Sequence, residues 1–258
     1  MNRKSIYFGF LPGESVEDKL RNAVAAGFAA VEVPGMTEES ERKSMKELFS
    51  QNGLICPSIM TSGSWQFPIS SSDEDIRKKG VECIKTAIIT AKAMDTDAIL
   101  AVPGLVNDSI PYEQAWDCSI KALKTIIPFA EEQGVTIAIE NVWNKFLLSP
   151  REFADYVDGF NTPNVKAYFD VGNIMLYGFP QQWIKYLGKR IVRMHIKGFD
   201  TNGFRWTNLL EGNLNWKAVM SACREVGYEG YLTAEQSLRP GENGLKELAN
   251  DMDEILSL

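Results

Sequence analysis

The chain has 258 residues, of which 45% are hydrophobic and 24% are charged, so it is long enough to bury a large core. Its formal net charge of -7 and its pI near 5.0 argue against a general affinity for nucleic acid or anionic membranes. No segment approaches the roughly 18 uninterrupted apolar residues of a membrane span, and the amino-terminal segment lacks a signal-peptide pattern. We therefore expect a cytoplasmic protein with neither nucleic-acid nor membrane partners.

The four cysteines are far apart in sequence, with no CxxC pair and no histidines at the spacing of a zinc site. A thiolate-rich structural zinc site is therefore excluded. We expect buried, reduced thiols at Cys56, Cys83, Cys118 and Cys223.

A strand followed by an amphipathic helix recurs along the whole chain, which is typical of a parallel sheet with crossover helices. The predicted strands cover residues 6–10, 29–35, 54–60, 97–104, 135–141, 165–173, 191–200 and 230–237. The predicted helices cover residues 16–26, 38–51, 74–94, 112–133, 150–157, 180–187, 216–226 and 245–256. Eight such units in this length predict a single (β/α)8 TIM barrel over residues 1–258. An open doubly wound sheet is the alternative, but no GxGxxG turn follows the first strand.

The only histidine of the chain, His195, lies on the seventh predicted strand, in the segment IVRMHIKGFD. Because side chains alternate along a strand, Arg193, His195 and Lys197 share one face, and Val192 with the other apolar residues shares the opposite face. A single histidine at a strand end is more often a packed core residue than a ligand. Its role therefore depends on which side chains surround it.

The same alternation turns an acidic residue inward at the end of three other strands: Glu140 on the fifth, Asp170 on the sixth and Glu235 on the eighth. The active site of such a barrel lies at the carboxyl ends of its strands. One carboxylate there is commonly a solvated loop residue, but three beside His195 would repel one another unless a cation held them. This donor set suits Mn²⁺, Mg²⁺ or Co²⁺ and also accommodates Zn²⁺.

The segments IAIEN, YFDVGN, RMHIKGF and LTAEQS, in this order, resemble the xylose-isomerase-like TIM barrel superfamily of sugar isomerases and epimerases. The DVGN turn and the loop SGSWQFPISSSDEDIRKKG are similar to its L-ribulose/L-xylulose-5-phosphate 3-epimerase branch, also called hexulose-6-phosphate isomerase-like. Two positions depart from related patterns. Asn173 stands where tagatose-epimerase relatives usually carry histidine, and Ser64 stands where this branch carries one.

The resemblance implies that Glu140, Asp170, His195 and Glu235 bind one divalent metal ion, and that no nucleotide cofactor is needed. It also implies that Glu140 and Glu235 form the acid/base pair. Such a site would epimerise a ketose or ketose phosphate at C3 through a metal-stabilised cis-enediolate. Proton transfer between C1 and C2 would instead give an aldose–ketose isomerase.

Further residues near the strand ends are candidates for holding the sugar. They are Ser62, Trp65, Trp143, Asn173, Lys197 and Glu211, with Glu32 as an additional hydrogen-bonding group on the second strand. The alternatives are that Lys197 only pairs with Glu235 or Asp170, that Glu211 is a solvated loop charge, and that the tryptophans pack under loops. For a substrate phosphate, the available cations are Lys197, Arg205 and Arg239.

Three other functions share this fold. An apurinic endonuclease would need several histidines for its zinc cluster, and the chain has one. A lyase acting on a cyclic polyol, of the inosose dehydratase type, uses related chemistry and remains an alternative. A barrel that only binds sugar has no use for two opposed carboxylates. The size of the chain favours a homodimer.

Overall fold

The computed structural model describes residues 3–258, and within them eight parallel strands close into a barrel. The structure contains the following strands, of which β8 and β9 lie outside the barrel: β1 (Arg3–Tyr7), β2 (Ala30–Pro34), β3 (Ile59–Met60), β4 (Ala98–Ala101), β5 (Thr136–Glu140), β6 (Val165–Asp170), β7 (Ile191–Ile196), β8 (Gly198–Asp200), β9 (Arg205–Thr207) and β10 (Tyr231–Ala234). Their order around the barrel is β1-β10-β7-β6-β5-β4-β3-β2, and β8 and β9 pair separately as an antiparallel hairpin. This arrangement confirms the predicted (β/α)8 barrel.

Helices follow the barrel strands and surround them. They are α1 (Val16–Ala26), α2 (Glu39–Asn52), α3 (Glu74–Ala93), α4 (Tyr112–Gln133), α5 (Pro150–Asp158), α6 (Val171–Ile174), α7 (Pro180–Leu187), α8 (Trp216–Val226) and α9 (Gly244–Ser257). Local signals fix several ends: the Ser15 side chain accepts a hydrogen bond from the Asp18 amide, and Gly27 ends α1 with a φ of 94°. Among the described residues, no helix is both long and apolar enough to cross a membrane.

Two hydrophobic clusters lie on opposite sides of the barrel wall. The larger one joins outward-facing strand residues such as Ile137 and Phe169 to the helices. The smaller one consists of Leu100, Ala138 and Tyr168, with partly buried apolar neighbours. The alternation predicted for the fifth and sixth strands therefore holds. Polar inward positions at the carboxyl ends of these strands lie above the small inner cluster.

The seventh strand departs from simple alternation at Val192. The register between β6 and β7 shifts after Ala167, so that Tyr168 pairs with Arg193. The resulting bulge lets Val192 pack against the inner cluster, rather than on the outward face where the sequence placed it. The alternation resumes beyond the bulge, because Met194 belongs to the outer cluster.

Several strands are shorter than predicted. The third strand was expected over 54–60, but its regular part is Ile59–Met60, and Ile55 forms only an isolated bridge to Ala30. Pro57 lies between these two parts and cannot donate a backbone hydrogen bond to a ladder. Residues 8–10, expected at the end of the first strand, form a short 3-10 helix.

The sixth and seventh strands also end early. Helix α6 begins directly after Asp170, whose side chain accepts a hydrogen bond from the Asn173 amide and so caps the helix. In the DVGN segment, Asp170 ends β6 and the next three residues form a helical turn instead of continuing the strand. Residues 198–200, expected as the end of the seventh strand, form β8, which pairs with β9 from the expected loop.

The cysteine prediction is confirmed in part. All four cysteines are free thiols, and Cys56 and Cys223 are buried. Cys83 and Cys118 are only partly buried, because each lies on an outer helix and not in the barrel wall.

Candidate active site

Four potential ligand side chains meet at the carboxyl ends of neighbouring strands. Glu140 ends β5, Asp170 ends β6, His195 lies near the end of β7, and Glu235 follows β10. One donor atom from each residue lies within 4.8 Å of the donor atoms of the others. Glu140, Asp170 and His195 are buried, whereas the Glu235 side chain is 21% exposed. The structure therefore brings together the four residues that the sequence predicted.

The imidazole of His195 lies at the centre of this group. Its Nδ1 is 2.9 Å from Oε1 of Glu140, 3.5 Å from Oε2 of Glu235 and 4.0 Å from Oδ2 of Asp170. Its Nε2 is 2.8 Å from Oε2 of Glu32. Burial lowers the pKa of His195, but Glu32, Glu235 and the hydrogen bonds outweigh burial and hold this pKa well above its usual range.

Lys197 brings a second positive charge to the same place. Its Nζ is 2.9 Å from Oδ2 of Asp170 and donates a hydrogen bond to Glu235. Burial lowers the pKa of Lys197, but Asp170 and Glu235 outweigh it and raise this pKa above its usual value. Lys197 is therefore a permanent cation beside the carboxylates.

The carboxyl groups differ in proton affinity. Burial, followed by the charge of Glu235, raises the pKa of Glu140 to about 7, although contact with His195 opposes this rise. Burial also raises the pKa of Asp170. For Glu235, burial is outweighed by His195 and Lys197, so its pKa is lowered.

The donor set fits a divalent cation. Oδ2 of Asp170 is buried and accepts no hydrogen bond from the described residues, although Lys197 lies within ion-pair distance of it. A buried carboxylate oxygen that accepts no hydrogen bond is costly, and a metal ion would satisfy it. Three carboxylates and one imidazole nitrogen are ligands that Mn²⁺, Mg²⁺, Co²⁺ and Zn²⁺ accept.

Two asparagines hold Asp170 in place, Asn141 through its backbone and Asn173 through its carboxylate. The Asn141 side chain donates to the carbonyl oxygen of Asp170 at 2.8 Å and accepts from its amide at 2.8 Å. Asn173 donates to the carbonyl oxygen of Asn141 at 2.9 Å, and its own amide donates to Oδ1 of Asp170. Asn141 was missed by the sequence analysis, although its place directly after Glu140 was the available signal.

A cavity of about 380 Å³ opens above these groups. Glu140 and Glu235 line it, together with five predicted substrate-binding residues: Ser62, Trp65, Trp143, Asn173 and Lys197. Tyr7 also lines it and was missed, because the first strand was predicted to start three residues late. Burial and the charges of Glu32 and Glu235 raise the pKa of Tyr7.

One side of this cavity is an aromatic wall formed by Trp143 and Trp206. The rings of Trp143 and Trp206 stack with centroids 4.7 Å apart, and Phe204 stacks on Trp143 at 5.9 Å. The indole N–H of Trp143 donates to the carbonyl oxygen of Asn173, and Nζ of Lys197 lies 5.2 Å from the Trp206 ring centre. Sugars present C–H faces that pack against such rings.

An adjoining cavity of about 550 Å³ shares Lys197, Trp206 and Glu235 with the first. Of the two remaining candidates, it contains Glu211, together with the two arginines that the sequence offered for a substrate phosphate. Arg239 is already paired, with Asp251 at 2.9 Å and Glu211 at 3.2 Å, whereas Arg205 is exposed and lies 3.7 Å from Asp200.

Glu32 does not lie where the sequence placed it. Its side chain is completely buried beneath His195, and it lines neither of the two cavities. Direct contact with a substrate in these cavities is therefore blocked by the imidazole. The cause is its position in the middle of β2, one layer below the strand ends that carry the other acidic residues.

Fold and site together define a (β/α)8 barrel with a carboxylate-rich cavity at the carboxyl ends of its strands. The sequence model of the xylose isomerase-like TIM barrel family matches residues 20–255, so the chain belongs to this family. The family resemblance read from the four strand-end segments is thereby confirmed.

Relatives named as sugar epimerases support an enzyme that acts on sugars, and one structural neighbour is named a dehydratase. The L-ribulose-5-phosphate 3-epimerase UlaE of Salmonella paratyphi C is 26% identical, over 96% of this chain and 92% of that protein. The crystal structure of a D-tagatose 3-epimerase-like protein superposes with a TM-score of 0.86 at 21% identity, covering 99% of this chain and 97% of the other. The probable 3-DHS dehydratase AsbF of Bacillus anthracis superposes with a TM-score of 0.81 at 16% identity, covering 97% and 98%.

Proposed function

We propose that the chain is a divalent-metal-dependent 3-epimerase of a ketose or ketose phosphate. The observation that carries this proposal is the placement of two carboxyl groups, Glu140 and Glu235, in one cavity. They come from β5 and from the end of β10, with β6 and β7 between these strands. A ketose lying between them would have a carboxyl group on each face of its C2–C3 bond.

The metal would be held by Glu140, Asp170, His195 and Glu235. When bound, it would supply positive charge beside the carbonyl and hydroxyl oxygens of the sugar and so acidify the C3 proton. One carboxylate then takes this proton from one face, and the other carboxyl group returns a proton to the opposite face, which inverts C3. Lys197, a permanent cation in the same cavity, would stabilise negative charge on a substrate oxygen.

The rest of the substrate would extend between the two cavities. The aromatic wall of Trp143 and Trp206 suits a C–H face of the sugar chain. If the substrate carries a phosphate, as in the name of UlaE, the adjoining cavity offers Arg205, because Arg239 is held by three carboxylates and Lys197 by two.

A dehydratase is the second candidate. The structural likeness to AsbF supports it, and proton abstraction beside a carbonyl is a step that both reactions share. The two reactions differ in the fate of the neighbouring hydroxyl group, which an epimerase retains and a dehydratase expels as water.

The test is deuterium incorporation followed by NMR. Metal-loaded protein in heavy water is incubated with a panel of pentuloses, hexuloses and their phosphates. We expect deuterium at C3 of one sugar, and a loss of at least about 100-fold in its rate of epimerisation in Glu140→Gln and Glu235→Gln, since each removes one proton-transfer group. Glu254→Gln, an exposed residue on α9, serves as the matched control.

Exchange at C1 would make the protein an aldose–ketose isomerase, and loss of water would make it a dehydratase. Near-normal epimerisation in either Gln variant would contradict the assignment of the acid/base pair.

A further inference from the structure

The buried carboxylate of Glu32 has no place in the proton transfers proposed above. It lies in the middle of β2, completely buried, and faces the edge of the His195 ring that points away from the cavity. Oε2 of Glu32 is 2.8 Å from Nε2 of His195, while Nδ1 of the same ring is 2.9 Å from Glu140. The imidazole is thus held between two carboxylates, one in the cavity and one beneath it.

The other oxygen of Glu32 is anchored from two further segments of the barrel. Oε1 accepts a hydrogen bond from the Ser58 hydroxyl at 2.7 Å and from the Tyr168 hydroxyl at 2.8 Å. The Tyr168 ring also packs on the imidazole of His195, with centroids 4.4 Å apart. Both oxygens of Glu32 are therefore occupied, and the rotation of its carboxylate is fixed.

Burying a carboxylate lowers the free energy of unfolding, and an apolar residue of similar volume usually destabilises such a position less. Its presence next to the only histidine of the chain therefore needs an explanation other than stability. An imidazole that binds a metal through one nitrogen must carry its proton on the other nitrogen, and a carboxylate hydrogen-bonded there fixes both the tautomer and the ring orientation.

We propose that Glu32 is a positioning residue for the metal site. It accepts a hydrogen bond from Nε2–H of His195. The lone pair of Nδ1 therefore points into the proposed metal site between Glu140, Asp170 and Glu235. This inference rests on the proposed metal site. It adds that Nδ1 of His195 is the nitrogen that binds the metal, and that Glu32 selects this nitrogen. Glu32 itself contacts neither metal nor substrate.

The single histidine allows a direct test by NMR. Protein labelled with ¹⁵N at histidine, and carrying no histidine tag, gives one imidazole spectrum, in which long-range ¹H–¹⁵N correlations distinguish a protonated from a metal-bound nitrogen. We expect Zn²⁺ to bind through Nδ1 while Nε2 keeps its proton. Binding through Nε2 in the wild-type protein would overturn the proposal without any variant.

Two substitutions measure the contribution of Glu32. Glu32→Leu removes the acceptor, and we expect the Zn²⁺ affinity to fall about 10- to 100-fold and the preference for the Nε2–H tautomer to weaken. Glu32→Gln keeps a carbonyl oxygen that can accept the same hydrogen bond, so it should restore the tautomer and most of the affinity. Glu254→Leu, the same substitution at an exposed position of α9, is the matched control and should leave the affinity and the tautomer unchanged.

The outcomes separate this inference from the function on which it rests. If the wild-type protein binds no Zn²⁺, or binds it without shifting the His195 resonances, the metal site itself is wrong and the role of Glu32 falls with it. If Zn²⁺ binds through His195 but Glu32→Leu retains wild-type affinity and tautomer, only the positioning role is overturned.

Discussion

Gly172, in the short helix α6, is the residue on which the position of Lys197 depends. A Cβ atom at this position would lie 2.3 Å from Cγ of Lys197 and 2.8 Å from its carbonyl oxygen. We expect Gly172→Ala to displace Lys197 from Asp170 and Glu235, to lower kcat/KM, and to cost about 1–3 kcal/mol of unfolding free energy through overpacking. Steady-state kinetics and denaturant unfolding measure the two effects.

The matched control is Gly35→Ala, because a Cβ there would meet its nearest atom at 3.4 Å, an ordinary contact distance. Equal behaviour of the two variants would show that the close approach of Gly172 to Lys197 has no functional consequence.

At the scale of single residues, alternation along strands was sufficient to predict the four ligand candidates. It works because an inward-facing side chain at the carboxyl end of a parallel barrel strand points into the mouth of the barrel. The same reasoning does not predict the depth of Glu32 in the barrel. The sequence placed it on the second strand as a hydrogen-bonding group, but its depth depends on how far β2 is staggered against β7, which no local pattern records. Asn141 was missed because its function is to hold a neighbour's backbone.

At the scale of elements, the β8–β9 hairpin completes the cavity wall. Its backbone approaches the following loop closely: a Cβ at Gly198 would lie 2.2 Å from the Asn208 carbonyl oxygen, and one at Gly212 would lie 2.2 Å from that of Phe199. Because these residues are glycines, the hairpin can pack closely against the loop, and this packing places the Trp206 ring against the Trp143 ring. The hairpin thereby contributes Trp206 to the lining of the cavity.

Removing the hairpin's main contact should weaken substrate binding more than catalysis. We expect Trp206→Ala to raise KM about 10-fold, the equivalent of about 1.4 kcal/mol, with a smaller change in kcat, because in the proposed complex the ring would contact the sugar chain away from the reacting carbons. Tyr186→Ala, which removes a half-exposed aromatic ring from α7, should leave KM unchanged. A fall in kcat at constant KM would contradict this role of the wall.

The helices were predicted more accurately than the short strands. The bounds of α1, α4, α7 and α8 agree with the sequence analysis, because caps, prolines and glycines adjacent to the helices determine their ends. The strands of the hairpin are three residues each, and their pairing depends on contacts with the barrel rather than on any local periodicity. The brevity of β3 has a local cause, Pro57, but its pairing with β2 and β4 depends on the whole barrel.

At the scale of the molecule, the barrel concentrates negative charge at one end. Glu32, Glu140, Asp170 and Glu235 surround the site, and within residues 3–258 the cations in contact with them there are His195 and Lys197. Since this repulsion opposes folding, a divalent cation that binds only the folded protein should stabilise it. Metal at about 100 times its dissociation constant should add about 2.7 kcal/mol, or roughly 5–10 °C in Tm for a chain of this size.

Scanning calorimetry with Mn²⁺ or Zn²⁺, followed by excess chelator, measures this stabilisation and its reversal. Asp170→Asn provides the informative comparison, because it removes the carboxylate whose Oδ2 accepts no hydrogen bond. It also lowers the repulsion among the acidic groups. Without metal, the Tm of the variant should therefore fall by no more than the loss of one ion pair with Lys197 would cause. Its metal-induced rise in Tm should be largely lost. An undiminished rise would mean that the cation stabilises the barrel from a different site, since binding at this one needs the Asp170 carboxylate.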